Sequence, residues 1–249
     1  MATKDLDGKI ALITGANKGI GFETARQLGQ RGATVLIGAR DAGRGETAAQ
    51  TLCSEGLNAE VVVLDTSDPA SVQAAAQAVG NKYGRLDILI NNAGVIIEDW
   101  MTPPSQTTLE TFQNTFATNV WGVIATTQAF LPLVKNSPAG RIVNVSSTMG
   151  SLTAMSDPAN QYGGGGAYAS AYRTSKAALN MLTELFAKEL AQTPIKINSI
   201  CPGWVRTEMG SDAAPRSVEQ GATASVRYAT LPADGPTGGF FDEDGVVAW

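Results

Sequence analysis

With 249 residues, 43% hydrophobic and 16% charged, the chain can bury a large core, and disorder is not expected. Its net charge of −5 argues against nucleic acid or an anionic membrane as partner, because either would select a basic face. There is no histidine, which excludes Ser-His-Asp catalysis and histidine-held metals; Cys53 and Cys201 lack the spacing of a disulfide framework or a zinc site.

Residues 1–8 carry no apolar run of the kind a signal peptide needs, and no stretch approaches the roughly 18 apolar residues of a membrane span. A soluble, cytoplasmic protein is expected. Residues 9–13 form a short apolar run and read as a buried strand, followed by Gly15, Gly19 and Gly21 and a helical pattern through Phe22, Ala25 and Leu28. A second strand is predicted over 34–38, then a helix over 42–54 with Asp41 as its N-cap. A third strand covers 61–64 and ends at Asp65, after which Asp68-Pro69 opens a helix with proline at its first position. The fourth strand, 86–90, runs into Asn91-Asn-Ala-Gly94. One long helical region, 108–135, contains Asn119. A fifth strand, 141–145, ends in Ser146-Ser147. The helix bearing Tyr172 and Lys176 follows, then strands over 195–200 and 239–241 around a helix over 217–230.

Strands alternate with helices, and most strands are continuous apolar runs. That pattern predicts one α/β domain spanning 1–249, a doubly wound, Rossmann-type parallel sheet of about seven strands with helices on both faces. Residues 161–166, Gln-Tyr-Gly-Gly-Gly-Gly, read as a flexible loop too short to separate domains.

Ligands of open parallel sheets bind at the carboxyl ends of the strands, where nearly every unusual residue of this chain falls. Gly15, Gly19 and Gly21 suit a pyrophosphate approaching bare N–H groups at a helix start, although a tight turn without a ligand would use the same glycines. Tyr172 and Lys176 lie one helical turn apart on one face. A cation there favours the phenolate, so a lowered Tyr172 pKa is expected. A surface Tyr and Lys would show the same spacing.

Thr14-Gly-Ala-Asn-Lys-Gly-Ile-Gly21, Asn91-Asn-Ala-Gly94, Asn119, Ser147, Tyr172-x-x-x-Lys176 and Pro202-Gly203 together resemble the short-chain dehydrogenase/reductase family over essentially the whole chain. Residues 202–209 and 238–249 resemble its carbonyl-reductase-like branch more narrowly. The resemblance implies that Tyr172 protonates a carbonyl oxygen as hydride arrives, and that Lys176 lowers its pKa and holds the nicotinamide ribose. Ser147, rather than Ser146, would hydrogen-bond the substrate oxygen, and Asn119 would anchor a water linking Lys176 to solvent. The implied cofactor-binding set begins with Gly15, Asn17, Lys18, Gly19, Ile20 and Gly21 in the first turn. It continues with Asp65 and Thr66 at the adenine edge, then Asn91, Ala93 and Gly94. Pro202, Gly203, Val205 and Thr207 complete it with Tyr172 and Lys176, Val205 and Thr207 meeting the nicotinamide amide and phosphate.

An NAD-selective fold usually places an acid after its second strand. Here that place holds Arg40, with Lys18 and Arg44 nearby, which suggests a 2′-phosphate and hence NADPH. Asp41 is the counter-argument, and its capping role accounts for it.

The interval from Ser147 to Tyr172 is longer than in most of the family. Its extra residues, 156–166, read as a lid carrying Tyr162 or Tyr168, or as a surface insertion. The resemblance leaves monomer or homo-oligomer undecided. Trp204, Met209, Met149 and Val95 are candidates for an apolar pocket wall. The implied activity is NADPH-dependent reduction of a ketone or aldehyde, reversible as alcohol oxidation. The competing readings are NAD-dependent alcohol oxidation, C=C reduction, and a non-catalytic NADPH-binding sensor.

Overall fold

A computed structural model describes residues 4–157, 159 and 167–249. The expected glycine loop at 161–166 and Tyr162 lie outside the described residues, as does most of the interval read as a lid.

Strands β1 (Ile10–Thr14), β2 (Thr34–Ala39), β3 (Ala59–Val63), β4 (Ile88–Asn91), β5 (Arg141–Val145), β6 (Lys196–Ile200) and β7 (Phe240–Phe241) form one sheet in the order β3-β2-β1-β4-β5-β6-β7. Every pairing is parallel, with Leu12 of β1 opposite Leu36 on one side and Leu89 on the other. The order reverses direction between β1 and β4, which opens the crevice at their carboxyl ends where such sheets take ligands.

Helices α1 (Gly19–Gln30), α2 (Ala42–Ser54) and α8 (Val218–Ala229) cover one face; α3 (Pro69–Tyr83), α5 (Gly122–Lys135) and α7 (Ser170–Glu189) cover the other, and the short α6 (Leu152–Ser156) follows β5. The period-two alternation of strands distributes the core between these layers. Ala11 and Ile13 pack toward Leu28, Leu52 and Tyr228, while Ile10 and Leu12 pack toward Val72, Val79 and Phe130. Because both faces are covered, the strands read as unbroken apolar runs.

Local signals set the helix starts. Asp41 accepts from the Arg44 amide at 2.9 Å, and Asp68 accepts from Ala70 ahead of Pro69. Ser217 and Gln220 make a reciprocal capping box on α8.

Two expectations need correction. The third strand is Ala59–Val63 and not 61–64: Ala59 already pairs with Val35, and Leu64, just past the strand, donates its amide to Ala39 at the end of β2. The helix expected over 108–135 is two helices, α4 (Leu109–Phe116) and α5, joined by a π-helical turn at Ala117–Trp121. Asn119 sits inside this turn, and a Cβ on Gly122 would lie 2.8 Å from the Thr66 carbonyl oxygen. One inserted residue leaves the apolar periodicity on either side intact, so the pattern reads as continuous.

Candidate active site

The turn after β1 is built for close approach. Gly15 and Gly19 have φ of 63° and 58°. A Cβ on Gly21 would meet Asn92 Nδ2 at 2.4 Å and the Gly15 carbonyl oxygen at 2.9 Å, so no other residue fits there. Thr14 Oγ1 accepts from the amides of Asn92 and Ala93, and Asn92 Nδ2 donates back to the Thr14 carbonyl at 2.8 Å. These bonds lock the β1 and β4 ends together. The Lys18 side chain does not cap α1, which leaves its first amide groups for a phosphate beside Asn17, Gly19 and Ile20. The turn thus fits a dinucleotide pyrophosphate.

Lys18, Arg40 and Arg44 are all exposed. The Lys18 ammonium is paired with Glu208, and Lys18 first and Arg44 second hold the Glu208 carboxyl below its ordinary range. A carboxylate from the loop after β6 therefore occupies the field of two cations expected to take a 2′-phosphate. Arg40 acts instead on Asp65, whose carboxyl is lowered chiefly by the Ser67 hydroxyl, then by the Ser67 amide and by Arg40. Asp65 Oδ1 accepts both Ser67 bonds, at 2.6 and 2.9 Å, in an Asx-type turn that fixes the carboxylate at the strand end beside Thr66.

Asn91, at the end of β4, has its side chain engaged inside the protein. Its side chain is 2% exposed and donates to Thr127 Oγ1 and Asn144 Oδ1, and the chain of bonds continues through Thr183 to Ser199. This buried network ties β4, β5 and β6 to α5 and α7. The sequence placed Asn91 in a motif but gave no sign of Thr127, Asn144, Thr183 or Ser199, which come together only across the sheet.

Tyr172, Ser147, Trp204, Met149 and Met209 line a cavity of about 450 Å³ at the carboxyl ends of β5 and β6. Pro202, Gly203, Val205 and Thr207 form its floor toward the glycine turn, where the Thr207 methyl would lie 3.5 Å from a Cβ on Gly19. Val95 is not part of the wall; Ile96 and Trp100 are, because the Val95 backbone is held by Asn119. Tyr168 is exposed and is not a wall residue either.

Ser147 accepts from the Met149 amide at 3.2 Å and lies near enough to the Tyr172 phenol to favour its ionised form. Ser146 Oγ turns away to donate to Asn180 Oδ1 at 2.6 Å, so Ser147 is the serine at the phenol. Gly150 lets this turn touch α7: its Cβ would lie 2.6 Å from the Lys176 carbonyl carbon.

The expected lowering of the Tyr172 pKa by Lys176 is not what the protein groups produce. Burial pushes the phenol up to about 12, Cys201 adds to the rise, and Ser147 opposes it. Burial pushes Lys176 down to about 8, with Cys201 opposing. The Lys176 ammonium stands 5.5 Å from the phenol ring centre and donates to the Val145 carbonyl at 2.9 Å. Spacing put the two on one face, as expected, but desolvation sets the direction of both shifts.

Asn119 is fully engaged. It accepts from the Val95 amide at 2.8 Å and donates to the Val95 carbonyl and Ser175 Oγ. A Cβ on Gly94 would lie 3.5 Å from Asn119 Oδ1 and 3.6 Å from Lys176 Nζ, so Gly94 keeps open the space between them. No three metal-ligating side chains cluster among the described residues, and no helix there is long and apolar enough to cross a membrane.

A reversing parallel sheet, a glycine turn at its switch point and a Ser–Tyr–Lys group facing an apolar cavity define a dinucleotide-dependent oxidoreductase. Residues 9–217 match the family model described as short chain dehydrogenase, and the chain belongs to that family. It is 36% identical over 276 residues to carbonyl reductase [NADPH] 1 of Bos taurus, covering 96% of this chain and 98% of the relative. It is 31% identical over 308 residues to (+)-neomenthol dehydrogenase of Capsicum annuum, with 97% and 98% covered. An NADPH-bound carbonyl reductase from chicken fatty liver superposes with a TM-score of 0.84 at 30% identity, over 100% of both chains.

Proposed function

We infer that the protein is an NADPH-dependent carbonyl reductase that converts a ketone or aldehyde to the alcohol, reversibly, with Tyr172 as the proton donor. The observation that carries this reading is the phenol itself: it lines an apolar cavity together with Ser147, and burial keeps it protonated at neutral pH. The kinship with carbonyl reductases supports it. The glycine turn, Asp65, Thr66 and residues 202–207 would hold the cofactor, which would supply the hydride. Lys18, Arg40 and Arg44 provide the charge a 2′-phosphate would meet.

Within the cavity the roles follow from the bonds. The Ser147 hydroxyl accepts from the Met149 amide, which leaves its own proton to donate to a substrate oxygen. Tyr172 presents a second O–H to that oxygen, so two donors converge where negative charge develops. A donor with a pKa near 12 holds its proton until the substrate oxygen becomes strongly basic. Lys176 then stabilises the phenolate left behind. Asn119 fixes the Val95 backbone and Ser175, and with them the position of Lys176. Ile96, Trp100, Met149, Trp204 and Met209 exclude water and bind apolar substituents of the carbonyl compound.

The test is incubation with NADPH or NADH and a panel of aryl ketones, enones and aldehydes, followed by product identification. Alcohol formed with NADPH and an intact C=C bond supports the reading. Saturation of the C=C bond, or turnover with NAD(H) alone, contradicts it.

A further inference from the structure

Helix α7 carries Tyr172 in its first turn, yet the helix has no cap of its own. Its N-cap residue, Ala169, has no polar side chain and sits in the left-handed region, with φ 42° and ψ 51°, while fully buried. A left-handed alanine persists only where its surroundings impose the conformation. Those surroundings come from the loop after β4, 68 to 74 residues away in sequence. Glu98 Oε2 accepts from the Ala171 amide at 2.9 Å and Oε1 from the Tyr172 amide at 2.7 Å. Two residues further on, the Trp100 carbonyl accepts from the amides of Tyr168 and Ala169 at 2.7 and 3.2 Å.

The geometry points to Glu98 as a positioning residue for the catalytic acid: its carboxylate bridges the second and third amides of α7 and fixes the backbone from which the Tyr172 phenol projects toward Ser147. This rests on the reading of Tyr172 as the proton donor. The chemistry suits the place. A carboxylate has one acceptor oxygen for each of the two amides, and its negative charge matches the positive end of the helix dipole. Glutamine has a single acceptor oxygen, and its NH2 would face the other amide donor to donor. Ile96 and Trp100 line the substrate cavity on either side of Glu98, so the segment that contacts substrate also holds the acid.

The experiment compares wild type with Glu98→Ala and Glu98→Gln. It reads kcat per NADPH-binding site, KM for the ketone, the Kd of NADPH, and hydrogen exchange at the Ala171 and Tyr172 amides. A misplacement of the phenol by a fraction of an ångström predicts a kcat loss of roughly tenfold or more in Glu98→Ala. Glu98→Gln falls between the two, with KM and Kd within about twofold of wild type, since the substrate walls and glycine turn are untouched. Exchange at the two amides should rise roughly tenfold in Glu98→Ala. A kcat loss below about fivefold in Glu98→Ala, or a loss matched by weaker NADPH binding, overturns the proposal even if the melting temperature falls. If wild type reduces no carbonyl, the functional reading fails separately. Exchange then decides for Glu98: unchanged protection of Ala171 and Tyr172 overturns its role, and faster exchange upholds the clamp.

Discussion

Replacing Gly150 with alanine perturbs the active site without touching a reacting group. The new Cβ would lie 2.6 Å from the Lys176 carbonyl carbon, 2.7 Å from Lys176 Cβ and 2.8 Å from the Ala177 amide nitrogen. Non-bonded carbons rest at about 3.5–4.0 Å, so the turn must withdraw from α7 by roughly 1 Å. All three atoms belong to the helix backbone or its root, and none can rotate aside. Ser147 moves with the turn, because its carbonyl accepts from the Gly150 amide at 2.9 Å. A displacement of about 1 Å between Ser147 and Tyr172 predicts a fall in kcat on the order of 100-fold. Overpacking at this contact costs about 1–3 kcal/mol. At roughly 2–4 °C per kcal/mol for a chain of this size, that lowers Tm by about 2–12 °C. The assay is kcat at saturating NADPH and ketone, with NADPH affinity measured by fluorescence; affinity should hold within about twofold, since no phosphate contact changes. Wild-type kcat in folded Gly150→Ala protein would refute the argument that this backbone contact sets the Ser147–Tyr172 geometry.

The pH dependence follows from Lys176. Its pKa is lowered from 10.5 to about 8, so the ammonium is present below that pH and lost as pH rises through it. Tyr172, raised from 10.0 to about 12, keeps its proton over the same range. Reductive kcat should therefore be level below and decline above about pH 8; a rate that rises through that range contradicts the assignment. Glu208→Gln removes the carboxylate now paired with Lys18 and should tighten NADPH binding roughly two- to fivefold, as suits an exposed pair, while leaving NADH binding unchanged. Lys18→Ala should abolish that difference, and equal changes for both cofactors would show that Glu208 does not compete with a 2′-phosphate.

The succession of strands and helices, the helix starts at Asp41, Asp68 and Ser217, and the face shared by Tyr172 and Lys176 were all legible in the sequence. They rest on short-range rules: alternation, caps and helical spacing. What stayed hidden depends on contacts between distant segments. The Glu98 clamp, the Lys18–Glu208 pair and the network from Asn91 to Ser199 join residues that no local pattern links. The direction of the Tyr172 shift was misread for the same reason. Spacing gives the nearness of a cation, but only the fold gives the desolvation that sets the direction of the shift. The π turn at Asn119 escaped because helical periodicity persists on either side of it and nothing in the sequence marks a single inserted residue.

The central claim is that Tyr172 protonates the substrate oxygen, and Tyr172→Phe tests it most directly. The measurement is NADPH oxidation with a reducible ketone at neutral pH, wild type beside variant, with NADPH binding recorded for both. Loss of the proton donor predicts a fall in kcat of about 100- to 10,000-fold with NADPH still bound. A Phe variant that reduces the ketone at the wild-type rate would contradict the account.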